Sequence, residues 1–137
     1  MAAAALRGVH VALAGEDRDA LEFLAHSLKY YGALVTVHDS MRSVQRVMQV
    51  LLVNVLIVDL GDFIDGGLKM IRNVRALPVK DGGRVPIVAV FVGPPDLEPR
   101  IVAEDVDSVI RRPVQAGEFA HVIATVVGAS PDAPREL

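Results

Sequence analysis

The chain has 137 residues, 17 acidic and 14 basic side chains and a formal net charge of −3, a length that fits one domain and leaves no room for a second core. Hydrophobic residues make up 52% and charged residues 23%, which excludes wholesale disorder. The absence of cysteine excludes disulfides, thiolate catalysis and Cys-based metal sites and fits a reducing, cytoplasmic setting, while four Phe, two Tyr and no Trp at a mildly acidic balance argue against a nucleic-acid surface.

Residues 1–6 form an apolar N-terminal extension that stops at Arg7, without the basic start and longer apolar run of an export signal. Short β-branched runs then alternate with segments of helical period. Strands are predicted at Val9–Ala14, Leu34–His38, Val53–Val58, Val85–Val92 and Val106–Ile110, several of them apolar at nearly every position, as strands covered on both faces are. The first helix carries Leu21, Leu24, Ala25 and Leu28 on one face and ends before Gly32. The second carries Met41, Val44, Val47, Met48 and Leu51 behind an Asp39 or Ser40 N-cap, and the third Leu68, Ile71 and Val74, with Leu77 at its limit. Val47–Leu60, the richest apolar stretch, is interrupted by Gln49 and Asn54 and is too short to span a bilayer. A loop is expected over residues 78–84. Pro94, Pro95 and Pro99 sit where the fourth helix should begin, so that helix is expected to be short or delayed. Phe119, Val122, Ile123 and Val126 stripe the last helix, which ends at Gly128, and a flexible tail is expected over 129–137.

Five strands and five helices in alternation predict an α/β fold: a (βα)5 doubly wound, five-stranded parallel sheet of flavodoxin-like type, with strand order 2-1-3-4-5 and right-handed crossovers. Ligands bind such sheets outside the carboxyl ends of the strands, where the strand order reverses. The first strand leads into Gly15, Glu16 and Asp17, and the third ends at Val58 and Asp59. In this order the two strand ends are neighbours and their carboxylates converge. Three close carboxylates repel unless one holds a proton or a cation sits among them, and oxygen ligands without His or Cys suit Mg²⁺. The plainer alternative is that Glu16 and Asp17 cap the first helix while Asp59 sits in a solvated turn. The four histidines, His10, His26, His38 and His121, lack the spacing of a metal set and read as surface or satisfied core residues. Arg111 and Arg112 offer charge for an anion site, but strand alternation points them to opposite sides. No phosphate-binding glycine loop is present, since neither Gly61–Gly66 nor the first strand carries the required pattern.

The runs Gly15-Glu16-Asp17-Arg18-Asp19, Val55-Leu56-Ile57-Val58-Asp59 and Asp65-Gly66-Gly67 resemble the receiver domain of bacterial two-component response regulators. The resemblance covers roughly residues 7–128. Ile71-Arg72 through Ala76-Leu77, then Asp81-Gly82-Gly83-Arg84-Val85-Pro86, is similar to the third helix and fourth strand of receivers attached to hybrid histidine kinases. The resemblance implies that Glu16, Asp17, Asp59 and the carbonyl of Gly61 hold Mg²⁺, and that Asp59 accepts a phosphoryl group from a histidine kinase. The metal would offset charge on the phosphoryl oxygens.

The departures from that family are as informative. Phe91 stands where receivers place Thr or Ser, Arg112 where they place Lys before the proline, Val109 at the aromatic switch position, and Asp62-Phe63 where Met-Pro is usual. Phenylalanine has no donor for a phosphoryl oxygen, and its ring is expected either to turn into the apolar layer or to lie over the pocket. Arginine keeps the positive charge but aims a longer, planar fork. The reading is therefore an atypical receiver, a pseudo-receiver that signals by protein contact with another signalling protein or as a homodimer. The surface of the fourth helix, fifth strand and fifth helix is its expected docking face. The first alternative is a working phosphoacceptor with Mg²⁺. An aspartyl phosphatase is a third reading, disfavoured because Gly61 stands where a second acid is needed; no enzyme activity, nucleic-acid binding or membrane contact is expected.

Overall fold

The computed structural model describes residues 4–61 and 64–129, the last by its backbone. Five parallel strands form one sheet in the order β2-β1-β3-β4-β5: β1 His10–Ala14, β2 Leu34–His38, β3 Val55–Asp59, β4 Ile87–Phe91 and β5 Ser108–Arg111. Five helices alternate with them: α1 Arg18–Tyr30, α2 Met41–Val50, α3 Ile64–Arg75, α4 Glu98–Val102 and α5 Ala116–Ala129. This is the doubly wound fold expected from the sequence. Among the described residues no helix is long and apolar enough to cross a membrane.

The near-continuous apolar runs of β1, β3 and β4 follow from burial on both faces. Val11, Leu13, Val55, Ile57, Val88 and Val90 face α1 and α5 around Leu24, Leu28 and Phe119. The alternate residues, among them Ala12, Leu56, Val58, Ala89 and Phe91, face α2, α3 and α4 around Val44, Leu68, Ile71 and Ile101. The β2 strand lies at an edge, which explains why Leu34 and Val37 are exposed despite their apolar character. The first residues reach the core earlier than expected: Leu6, assigned to an extension, is fully buried, and its amide donates to the Tyr31 carbonyl. Most of the expected 129–137 tail, like Asp62 and Phe63, lies outside the described residues.

Local chemistry sets the helix limits. Asp17 caps α1, its carboxylate accepting from the Ala20 amide at 3.2 Å, and Ser40 caps α2 through the Ser43 amide at 3.1 Å. The third helix ends before Leu77, because the chain then turns back so tightly that a Cβ on Gly83 would lie 1.9 Å from the Leu77 carbonyl oxygen. The prolines act as anticipated. Pro95 opens a single 3-10 turn over Pro95–Leu97, Pro99 occupies the first turn of α4, and α4 runs for only five residues.

Two of the histidines form a buried polar seam beneath α2. His10 and His38 lie on β1 and β2, and Thr36 bonds both, at 3.0 Å and 2.8 Å. His10 Nδ1 also bonds the Leu52 carbonyl at 3.0 Å, and His38 Nδ1 bonds Ser43 Oγ at 2.6 Å. With both rings neutral, one proton order satisfies every contact. A carbonyl only accepts, so His10 Nδ1 donates to Leu52. The Thr36 hydroxyl then donates to His10 Nε2, which obliges His38 Nε2 to donate to Thr36 and the Ser43 hydroxyl to donate to His38 Nδ1. His26 and His121 are exposed.

Burial lowers the His38 pKa below 6.5, and the neighbouring His10 lowers it further against the opposing pull of Asp39. The unfolded histidine therefore takes its proton near pH 6.5, while the folded one still resists it. Over that interval the unfolded chain binds more protons, and the fold loses stability as pH falls. Urea denaturation at steps between about pH 7 and about pH 5.5 should show this decline, and a flatter profile for His38→Gln.

Candidate functional site

The carboxyl ends of β1 and β3 open into a cleft of about 350 Å³ whose lining includes Glu16, Asp17, Asp39, Asp59, Gly61 and Arg112. Each wall has a local cause. Asp59 is the last residue of β3 and its side chain is only 1% exposed. Gly15 lets β1 pass close beside it, since a Cβ there would lie 3.1 Å from the Asp59 carbonyl oxygen and 3.2 Å from its Cβ. Gly61 turns the chain away with a φ of +61°, a conformation that glycine adopts without strain. Asp39 follows β2 and reaches the rim because β2 lies next to β1.

Arg112 approaches from the far side. Its amide donates to the Phe91 carbonyl at 2.9 Å, which fixes the backbone beyond β5. The guanidinium then reaches past the end of β4, and its Nη2 donates to Asp59 Oδ1 at 3.4 Å. A buried carboxylate is stable in charged form only with such a countercharge. Arg111, exposed, instead fixes the loop after β4 through the Gly93 carbonyl at 2.6 Å.

Phe91 ends β4 but does not enter the cleft. Its ring is 1% exposed and packs in the apolar layer beside Ile64, Leu68 and Ile101, the first of the two poses considered for it. Burial of a ring of this size contributes roughly 1.5–3 kcal/mol. Val109 is half-buried against the same layer. Neither residue offers a polar group to the cleft, and Asp62 and Phe63 lie outside the described residues.

The structure thus brings Glu16, Asp17, Asp59, Gly61 and Arg112 to one cleft and leaves Phe91 and Val109 in the core. Among the described residues no three His, Asp or Glu side chains are placed to hold one metal ion. The reason is visible in each residue: Asp17 turns to cap α1, Asp59 faces a guanidinium, and Glu16 is exposed. Mg²⁺ takes close oxygens in near-octahedral array, and among the oxygens this cleft offers are those of Glu16, Asp17, Asp59 and Gly61. Sequence reasoning missed Asp39 and Met70 as cleft residues. The order 2-1-3 carried a signal for Asp39, because any residue following β2 borders the end of β1.

No family model matches the chain, and comparison with curated proteins gives no match. Solved structures match it closely in shape. The receiver domain of a sensor histidine kinase from Pseudomonas aeruginosa, described with a magnesium ion in its active-site cleft, aligns with a TM-score of 0.74 at 18% identity over 89% of this chain and 99% of that one. A putative response regulator from Chloroflexus aurantiacus gives 0.74 at 19%, covering 87% and 97%. A sensor protein from Polaromonas gives 0.75 at 16%, covering 88% and 96%. At these identities the likeness establishes the receiver fold.

The Arg112 and Asp59 charges should be thermodynamically coupled. Arg112→Met removes the guanidinium that faces a buried carboxylate and should destabilise the fold by about 1–3 kcal/mol at neutral pH. Combined with Asp59→Asn, the same change should cost less, so a denaturation cycle over the four proteins should be non-additive.

Proposed function

We propose that the chain is a receiver-type signalling domain that works by protein contact, a pseudo-receiver in which the guanidinium of Arg112 serves as the standing countercharge of Asp59. The observation that carries this reading is that contact, made at 3.4 Å from the far side of β4. A cation already faces the Asp59 carboxylate, so that group has a countercharge without a metal. The buried Phe91 supports the same reading. A switch needs a hydroxyl at the end of β4 to hold a phosphoryl oxygen, and the phenyl ring lies in the core instead.

Its partners on this reading are a histidine kinase or another signalling protein of the cytoplasm, and its work is not catalytic. Docking or self-pairing through α4, β5 and α5 follows from the likeness to receivers. Val92 and Val102 are exposed apolar residues on the segment joining β4 to β5. The competing reading, a phosphoacceptor using Mg²⁺, is favoured by one observation: Glu16, Asp17 and Asp59 share a cleft, and a neighbour of the same fold is described with magnesium in its own active-site cleft.

Acetyl phosphate with Mg²⁺, read by intact mass, decides between them. The expected result is no phosphoryl adduct on the wild type. Beryllofluoride, the phosphate mimic, should leave the backbone amide NMR signals of Gly93–Arg100 in place, because Arg111 and the prolines fix that loop. The same additions to Phe91→Thr combined with Arg112→Lys serve as the responsive control. An adduct lost in Asp59→Asn, or large loop shifts in the wild type, would overturn the pseudo-receiver reading.

A further inference from the structure

At the opposite end of the sheet, the loop between α2 and β3 and the turns before β4 enclose a groove of about 420 Å³. Its lining holds Val50, Leu51, Leu52 and Val79, all exposed, the first, third and fourth by 70%, 68% and 73%. Soluble domains rarely leave large apolar side chains grouped in one concavity without a use.

Two further features separate this groove from a loose loop. The first is its anchorage. Buried His10 holds the loop three times: its amide donates to Asn54 Oδ1 at 2.8 Å, its ring bonds the Leu52 carbonyl at 3.0 Å, and its carbonyl accepts from the Asn54 amide at 2.9 Å. Leu51 and Leu52 are thus presented outward by a loop tied to the core. A surface held this way loses little freedom on binding. The second feature is charge. The chain as a whole is acidic, yet the groove is lined by two cations, Lys80 and Arg84, and by no carboxylate among the described residues. Arg84 is shared with Asp105 at 3.3 Å, whereas Lys80 makes no ion pair among the described residues.

We infer that this groove is a docking site for a partner protein segment that carries large apolar side chains flanked by Asp or Glu. The apolar side chains would cover Val50, Leu52 and Val79, and the acids would meet Lys80 and Arg84 at the rim, where charge selects the partner more than it tightens the contact. The inference is independent of the pseudo-receiver reading, since the groove lies at the other end of the sheet from Asp59.

The test is selection of a random peptide library on the full chain, with removal of peptides that also bind Leu52→Ser combined with Val79→Ser. Those positions are exposed, so the variant keeps its core, and circular dichroism checks this. The expected result is enrichment of Leu, Ile or Phe next to Asp or Glu. A synthesised winner should shift the amide signals of residues 48–54 and 79–86, and bind the variant and Lys80→Glu at least about tenfold more weakly. Enriched peptides that are basic, that map elsewhere, or that bind Lys80→Glu equally well overturn the inference, as does failure to enrich any. Binding of anionic phosphatidylserine vesicles by the same residues without peptide enrichment would assign the groove to a membrane. Sedimentation as a dimer that Leu52→Ser dissolves would assign it to a second copy.

Discussion

A single buried charge organises the upper end of this molecule. Asp59 is carried by a fully buried strand to a place almost out of reach of water, and a carboxylate there must find compensation or give up its charge. Arg112 supplies a positive charge from two strands away. Much of the surrounding sequence serves that meeting. Gly15 clears the space beside Asp59, Gly61 turns the chain away from it, and the Phe91 carbonyl holds the Arg112 backbone.

The same contact gives Asp59 a countercharge supplied by the chain itself. A divalent ion draws carboxylates inward, whereas a guanidinium needs only one partner and leaves the others to local duties. Asp17 is accordingly engaged with the α1 amides, and Glu16 faces solvent. The like-charge repulsion that motivates a metal on sequence grounds is met at Asp59 by arginine. An acidic motif fixes where a cleft lies without fixing what fills it.

Legibility in the sequence followed the strength of local rules. The β2 limits Leu34–His38 were readable to the residue, because a glycine-ended helix precedes the strand and a capped helix follows it. The shortness of α4 was readable from its prolines, whose ring geometry acts whatever the context. The outer residues of β3, β4 and β5 were less so. Val53, Val85 and Val106 are strand-like by composition, but lie beyond the ladder in the entering loops, where only pairing with a neighbour sets the limit. The histidines show the remaining gap. That they are satisfied residues was legible; that His10 and His38 share one threonine was not, since it depends on the register that sets Thr36 opposite Ala12 and places the three side chains on the α2 face.

On the central strands, by contrast, apolar side chains separate the two ends of the sheet. The central strands β3 and β4 run between them as fully buried apolar ladders with no titratable side chain between Val55 and Val58 or between Ile87 and Phe91. A charge change at Asp59 finds no polar path through that layer, and close-packed strands do not deform by small degrees. The lower groove is held by His10 at the start of β1, whose ring also joins the Thr36, His38 and Ser43 chain that ends beside Asp39 at the cleft rim. A polar route between the two ends therefore runs along the α2 face through His10, Thr36 and His38, beside the apolar ladders of β3 and β4 rather than through them.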